Sequence, residues 1–309
     1  MAWSGNVSEL HDRLVEYLAV RRALGFKLVR SEPHLRDFVR YLDERREQRI
    51  TIKRAVAWAV LPGGSDSLHY ARLGAVRLFA SYLHAVDPSV EVPGVDLLRN
   101  GPARRRPFLY TDEEVLALME AAETLKTTHR RATYRTLIGL LASTGMRIGE
   151  AIALDLHDFD PDLGVVVVHG KLDKIRELPV TPSTSDALSA YVQRRDRPPG
   201  RIATPALFVG IWGTRLDPSC VASTFCLLRA RAGIEPRFGC QPTMHGLRHT
   251  FAIRTMLDAY EHGLDGGARL GVLATVLGHV APAHTYWYLQ AVPELMRAAA
   301  DRLEQHERT

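Results

Sequence analysis

His245 and Arg248 stand three residues apart in His-Gly-Leu-Arg, and about thirty residues later Leu277-Gly-His279 is followed, nine positions on, by Tyr288. Upstream, Thr144-Gly-Met-Arg147-Ile-Gly-Glu150 supplies a second arginine. Two arginines, two histidines and a tyrosine suit one task well: neutralising a phosphodiester and attacking it without a metal. Negative charge builds on the phosphate oxygens as a nucleophile adds, so fixed cations aimed at them lower the barrier. Arginine serves better than lysine here, because its planar fork binds two oxygens and keeps its proton. His245 and Arg248, at i and i+3, share one helix face and can reach one phosphate together. A phenol, with a pKa near about 10, needs help to attack at neutral pH. A histidine can take its proton or orient the phosphate. The departing 5′ oxygen needs a proton, and Lys171, at the tip of a predicted hairpin, can provide it; Lys174 in the same hairpin is the alternative. Each short motif alone is weak, since a lone HxxR is usually a surface pair and a lone helical tyrosine is usually core. Their joint order, each within an apolar helical stretch, is specific.

Mostly helices must position these groups. The first ninety or so residues read as four short helices: Val7 to Ala23, one opening at Ser31-Glu-Pro-His with the serine as N-cap, Thr51 to Leu61, and Asp66 to Val86. The second carries Leu35, Phe38, Val39 and Leu42 on one face. Residues 91–107, with Pro93, Pro102, Pro107 and the run Arg104-Arg105-Arg106, read as an extended linker, either a solubilising tether or a basic strap along DNA. Thr111-Asp-Glu-Glu114 is a capping box opening a further helix. Val165–Val168 and Arg176–Val180 read as strands flanking the hairpin tip, and Ala206–Val209 as a candidate third. The fold class is therefore mainly α with a small antiparallel sheet. The expected domains are 1–90, a linker 91–107, and 108–309.

Bulk properties set the class. The 309 residues are 46% hydrophobic and 24% charged, as in globular proteins with proper cores. No apolar run spans a bilayer and the N-terminus lacks the layout of a signal peptide, which predicts a cytoplasmic protein without membrane contact. Cys220, Cys226 and Cys240 have no CxxC spacing, so neither a zinc site nor a disulfide framework is suggested. The net charge of +5 is a mild bias toward polyanions. Arg21-Arg22, Arg45-Arg46, Arg104–Arg106 and Arg130-Arg131 are candidate phosphate contacts or solvated faces.

These boxes resemble those of the tyrosine recombinases, the phage integrase family that includes Xer, Cre and lambda integrase. Thr144–Ala151 is similar to its first arginine box, His245–Ala252 to its HxLR box, and Leu277-Gly-His279 with Tyr288 to its LGH…Y box. Gly170-Lys171 is similar to its hairpin lysine. The resemblance implies a helical, SAM-like core-binding domain followed by a catalytic domain of the DNA breaking-rejoining fold. It implies that Arg147, His245, Arg248 and His279 hold the scissile phosphate and that Lys171 is the general acid. Tyr288, rather than Tyr286, would form a 3′-phosphotyrosine, with Glu150 bracing the site. Neither cofactor, ATP nor metal is required. The implied partner is double-stranded DNA with inverted-repeat core sites, bound by a homotetramer or by an assembly with related recombinases. Residues 292–309 could be a C-terminal helix packing in trans or in cis. The Tyr-Trp-Tyr-Leu segment resembles recombinases carried by mobile elements. A type IB topoisomerase, or an accessory DNA-binding partner of another recombinase, are the alternative functions.

Overall fold

Apolar residues recur every three to four positions through the first eighty residues, and each such stretch is a helix in the computed structural model, which describes residues 7–99, 107–170, 174–195 and 204–278. These are α1 (Val7–Ala23), α2 (Ser31–Asp43), α3 (Ile52–Val60) and α4 (Asp66–His84). The Thr51 and Ser65 hydroxyls cap α3 and α4 by accepting the Arg54 and Leu68 backbone N–H groups. Ser31 is not a cap. The Leu28 carbonyl already accepts the Glu32 N–H, so the turn is entered earlier, and Arg30 occupies the cap position without a side-chain bond. Leu35, Phe38, Val39 and Leu42 are all fully buried, as their spacing predicts, against Leu14 and Leu18 of α1, Trp58 of α3 and Phe79 of α4. Each such side chain contributes about 1.5–3 kcal/mol by leaving water.

The chain divides into two compact units, Met1–Arg105 and Arg106–Thr309. The beginning of the segment read as a linker is held on the first unit. Arg77 of α4 donates to the Pro93 and Gly94 carbonyls at 2.8 Å each, and Val92 and Leu98 pack against the four-helix core. Arg104, Arg105 and Arg106 lie outside the described residues.

The second unit contains α5 (Asp112–Ala122), α6 (Thr128–Thr144), α7 (Ile148–Ala153), β1 (Phe159–Asp160), β2 (Val165–His169), β3 (Ile175–Pro179), α8 (Pro182–Arg195), α9 (Pro218–Arg231), α10 (Met244–Glu261) and α11 (Gly266–Leu277). Thr111 and Glu114 form the expected capping box at the start of α5. The sheet is antiparallel in the order β1-β2-β3, with Val168 opposite Arg176 and His169 opposite Ile175. Its third strand is β1, not residues 206–209. A short turn brings β1 to the edge of β2 at little cost in loop-closure entropy. Residues 206–209 instead run fully buried through the core, making only isolated bridges to Asp155 and Arg215. The α10 and α11 helices pack on each other through Ile253, Met256, Leu270, Leu273 and Leu277.

Several arginines expected as candidate phosphate contacts bond within the fold. Arg21 stacks on Phe26, Arg22 pairs with Glu32 and Arg45 stacks on Tyr41. Arg130 donates to Thr224 and Arg131 to the Leu125 carbonyl. Among the described residues no helix is long and apolar enough to cross a membrane.

Candidate active site

The helix α6 must stop sharply for Arg147 to face outward, and Gly145 stops it. Gly145 is left-handed at φ +63°, and its N–H caps the helix by donating to the Leu141 carbonyl. A side chain there would also strike Phe251 of α10 at 2.4 Å. Two residues later Arg147 sits in extended conformation as the residue capping α7. Glu150, in the first turn of α7, holds it twice. One carboxylate oxygen accepts the Arg147 backbone N–H at 2.9 Å, and the other accepts its guanidinium at 2.8 Å.

The HxLR segment opens α10, where the Thr243 hydroxyl accepts the Gly246 N–H. His245 is exposed, and its ring meets that of His249 edge-on at 4.5 Å. Arg248 is 2% exposed, one of the largest buried side chains among the described residues. Its guanidinium donates to the Gly145 carbonyl at 2.9 Å and to the Leu277 carbonyl at 2.7 Å. The base of α10 is anchored at 108–112. The Tyr110 N–H donates to the Thr250 hydroxyl, and Arg254 pairs with Asp112.

The end of α11 gathers these cations. The Val276 carbonyl accepts from Arg176, the Leu277 carbonyl from Arg248 and, at 3.4 Å, from Arg147, and the Gly278 carbonyl lies 3.5 Å from Arg147. Cations are favoured at a helix C-terminus, whose last carbonyls have no helical partner. His279 is the next residue in the chain. His279, Tyr286, Tyr288, Lys171 and the expected helix at 292–309 all lie outside the described residues. The hairpin that carries Lys171 is closed by a bond from the Gly170 N–H to the Lys174 carbonyl at 2.7 Å, and Lys174 itself is exposed. Arg147, His245, Arg248 and Glu150 are thus placed on the converging ends of α6, α7, α10 and α11.

Arg176 of β3 joins this constellation without having been singled out by any motif. It donates to both Glu150 oxygens, at 2.8 and 3.4 Å, and through its Nε to the Val276 carbonyl at 2.9 Å. The available signal is strand parity: Arg176 shares its face with the buried Leu178, so its charge points inward and requires a carboxylate. Burial alone would raise the Glu150 pKa. The Arg176 bonds and those from Arg147 outweigh it and hold the carboxyl below its usual range.

Asp155, His157 and Asp158 also bring potential ligand atoms within 4.8 Å of one another. Asp155 already pairs with Arg215, and Asp158 accepts the Asp155 N–H and lies 3.1 Å from His169 Nε2. These bonds fasten the turn at 156–158 to the end of β2 that enters the lysine hairpin.

Residues 109–294 match the model of the phage integrase family. A protein named as an integrase/recombinase in Sinorhizobium fredii is 39% identical over 307 residues, covering 96% of this chain and 98% of its own. The tyrosine recombinase XerD of Mycobacterium leprae is 36% identical over 212 residues, covering 65% of this chain and 63% of its own. The Tn1549 transposon integrase, in complex with a circular intermediate DNA, shares the fold with a TM-score of 0.68 at 17% identity, over 97% of this chain and 100% of that one. The chain belongs to the phage integrase family, the tyrosine recombinases, enzymes of site-specific DNA recombination.

Proposed function

We propose that this protein cleaves and rejoins DNA through a 3′-phosphotyrosine formed by Tyr288, without metal or ATP. The Tyr288 phenolic oxygen attacks the scissile phosphorus and gives up its proton to a histidine of the site. The bond from phosphorus to the 5′ oxygen breaks, and Lys171 protonates that oxygen. Rejoining reverses these steps with a 5′-hydroxyl from a partner strand, the phosphotyrosine ester conserving the energy of the bond. Arg147 and Arg248 balance the charge that grows on the non-bridging oxygens, while His245 and His279 orient the phosphate. Glu150 fixes Arg147. The second unit carries this chemistry, and the four-helix unit supplies further DNA contacts. The assembly is a tetramer on paired inverted-repeat sites, of one chain or together with related recombinases.

One observation supports this reading most. Arg147 and Arg248, far apart in sequence, donate to the same Leu277 carbonyl, two residues before His279. A constellation so placed brings two guanidinium groups to the turn that precedes a histidine in the chain, and a phosphodiester in transfer requires such a concentration of positive charge.

The test is a nicked suicide duplex built from inverted repeats in the DNA flanking the gene. The expected result is a covalent protein–DNA adduct that forms in EDTA, survives Tyr286→Phe and disappears with Tyr288→Phe. An adduct that persists in Tyr288→Phe overturns the nucleophile. Relaxation of supercoiled DNA of any sequence by a monomer would point to a type IB topoisomerase instead.

A further inference from the structure

Glu150 is shared by two arginines that differ in what they face. The Glu150 and Arg176 side chains are only 10% and 12% exposed, whereas that of Arg147 is 39% exposed. The three groups carry two positive charges and one negative, a net charge of +1. Without Arg176, Arg147 and Glu150 would sum to zero, with the carboxylate 2.8 Å from the guanidinium that faces outward. At such separation a partly desolvated carboxylate cancels much of a cation's field. Arg176 also reaches the turn before His279. It bonds the Val276 carbonyl, and a side chain on Gly278, itself left-handed at φ +63°, would meet the Arg176 guanidinium at 2.8 Å. The absence of a Cβ at 278 makes room for that guanidinium.

We infer that Arg176 is a positioning residue for strand cleavage: by engaging Glu150 and the end of α11 from β3, it leaves Arg147 a net positive charge to direct at the scissile phosphate. This rests on the cleavage chemistry proposed above. Arg176 touches no reacting atom and acts through Glu150 and Arg147. Because β3 also leads out of the lysine hairpin, one side chain joins the strand that follows Lys171 to the turn that precedes His279.

The experiment is single-turnover cleavage of the nicked duplex by the full chain, with DNA affinity and melting temperature measured in parallel. Arg176→Met is expected to slow cleavage by about 10²-fold while DNA affinity changes less than about twofold. Arg176→Lys, which keeps the charge but not the fork, should recover to within about tenfold of the parent. The deciding variant is Arg176→Met combined with Glu150→Gln. It restores the net charge of +1, so it should cleave faster than Arg176→Met alone. A role confined to packing would make the two losses add. If Arg176→Met does not fold, Arg176→Gln replaces it in both arms. Cleavage at the parental rate by the single variants overturns the inference, and so does a double variant slower than the single. Absence of any adduct from the unsubstituted protein overturns the functional reading, and this inference with it.

Discussion

Each unit of the protein contains a carboxylate shared between two arginines, and the two networks do different work. In the four-helix unit Asp37 of α2 accepts from Arg40, from Arg72 of α4 and from the Trp58 indole of α3 at 3.0 Å. Arg72 is nearly buried, stacks 3.7 Å above the Trp58 ring and donates to the Trp58 carbonyl. This network knits three helices, and its carboxylate remains 36% exposed. In the second unit Glu150 is 10% exposed, and its arginines extend to the carbonyls that end α11. The first network has the same two-to-one ratio, and its outward member, Arg40, is 69% exposed to solvent. In the second the outward guanidinium, that of Arg147, is 39% exposed and lies at the carbonyls that end α11. The lesson is that a carboxylate shared by two arginines says little about function by itself, whereas one placed at a converging set of helix ends says much.

Removing the most buried of the arginines that meet at the end of α11 should have the largest effect. Arg248→Ala removes the donor to the Gly145 carbonyl and the shorter of the two to the Leu277 carbonyl, at roughly 1–3 kcal/mol each. In the proposed mechanism it also removes a cation from the phosphate, so adduct formation should fall by about 10³-fold. Single-turnover cleavage and thermal melting measure the two losses, and cleavage within tenfold of the parent would remove Arg248 from the site.

Glu150→Gln comes next, at roughly 3 kcal/mol near neutral pH. Its signature is in the acid limb. The Glu150 carboxyl in the folded protein titrates below its ordinary 4.5, through the arginine bonds that outweigh burial. The stability it provides is therefore complete above the unfolded value and is lost as pH falls through the folded one. Melting curves from pH 7 down to 3 should show a steeper loss in the parent than in Glu150→Gln, and parallel curves would contradict the assignment.

A smaller effect is expected of Gly278→Ala, which sets a Cβ against Arg176 in a left-handed conformation, at about 1–2 kcal/mol. Cleavage should fall more than DNA binding does, as judged by adduct yield against gel-shift affinity. The smallest belongs to the first unit. Asp37→Asn should cost under about 1 kcal/mol, because its carboxylate is partly solvated, and should leave the cleavage rate of bound DNA unchanged. If it slowed the cleavage of bound DNA, the contrast between the two networks would collapse.

Much of this was legible in the order of residues along the chain, because helices, caps and short motifs are local. The period of Leu35, Phe38, Val39 and Leu42, the cap at Thr51 and the capping box at Thr111 depend on neighbours within four positions. So do the arginine box around Arg147 with Glu150 three residues on, and the helix that carries His245 and Arg248. Residue type at such spacing indicated the family and pointed to the chemistry proposed above. Other features were decided only by the tertiary structure. The edge of β2 went to Phe159 and Asp160 rather than to residues 206–209, since both segments suit a strand and only chain closure separates them. Arg176 appeared to belong to an ordinary strand until folding brought Glu150 and Val276 to it, 26 and 100 residues away. The meeting of Arg147, Arg176 and Arg248 at the end of α11 has the same origin. No local period encodes which unpaired carbonyls a distant guanidinium will find; packing of α6, α10, α11 and the sheet determines it.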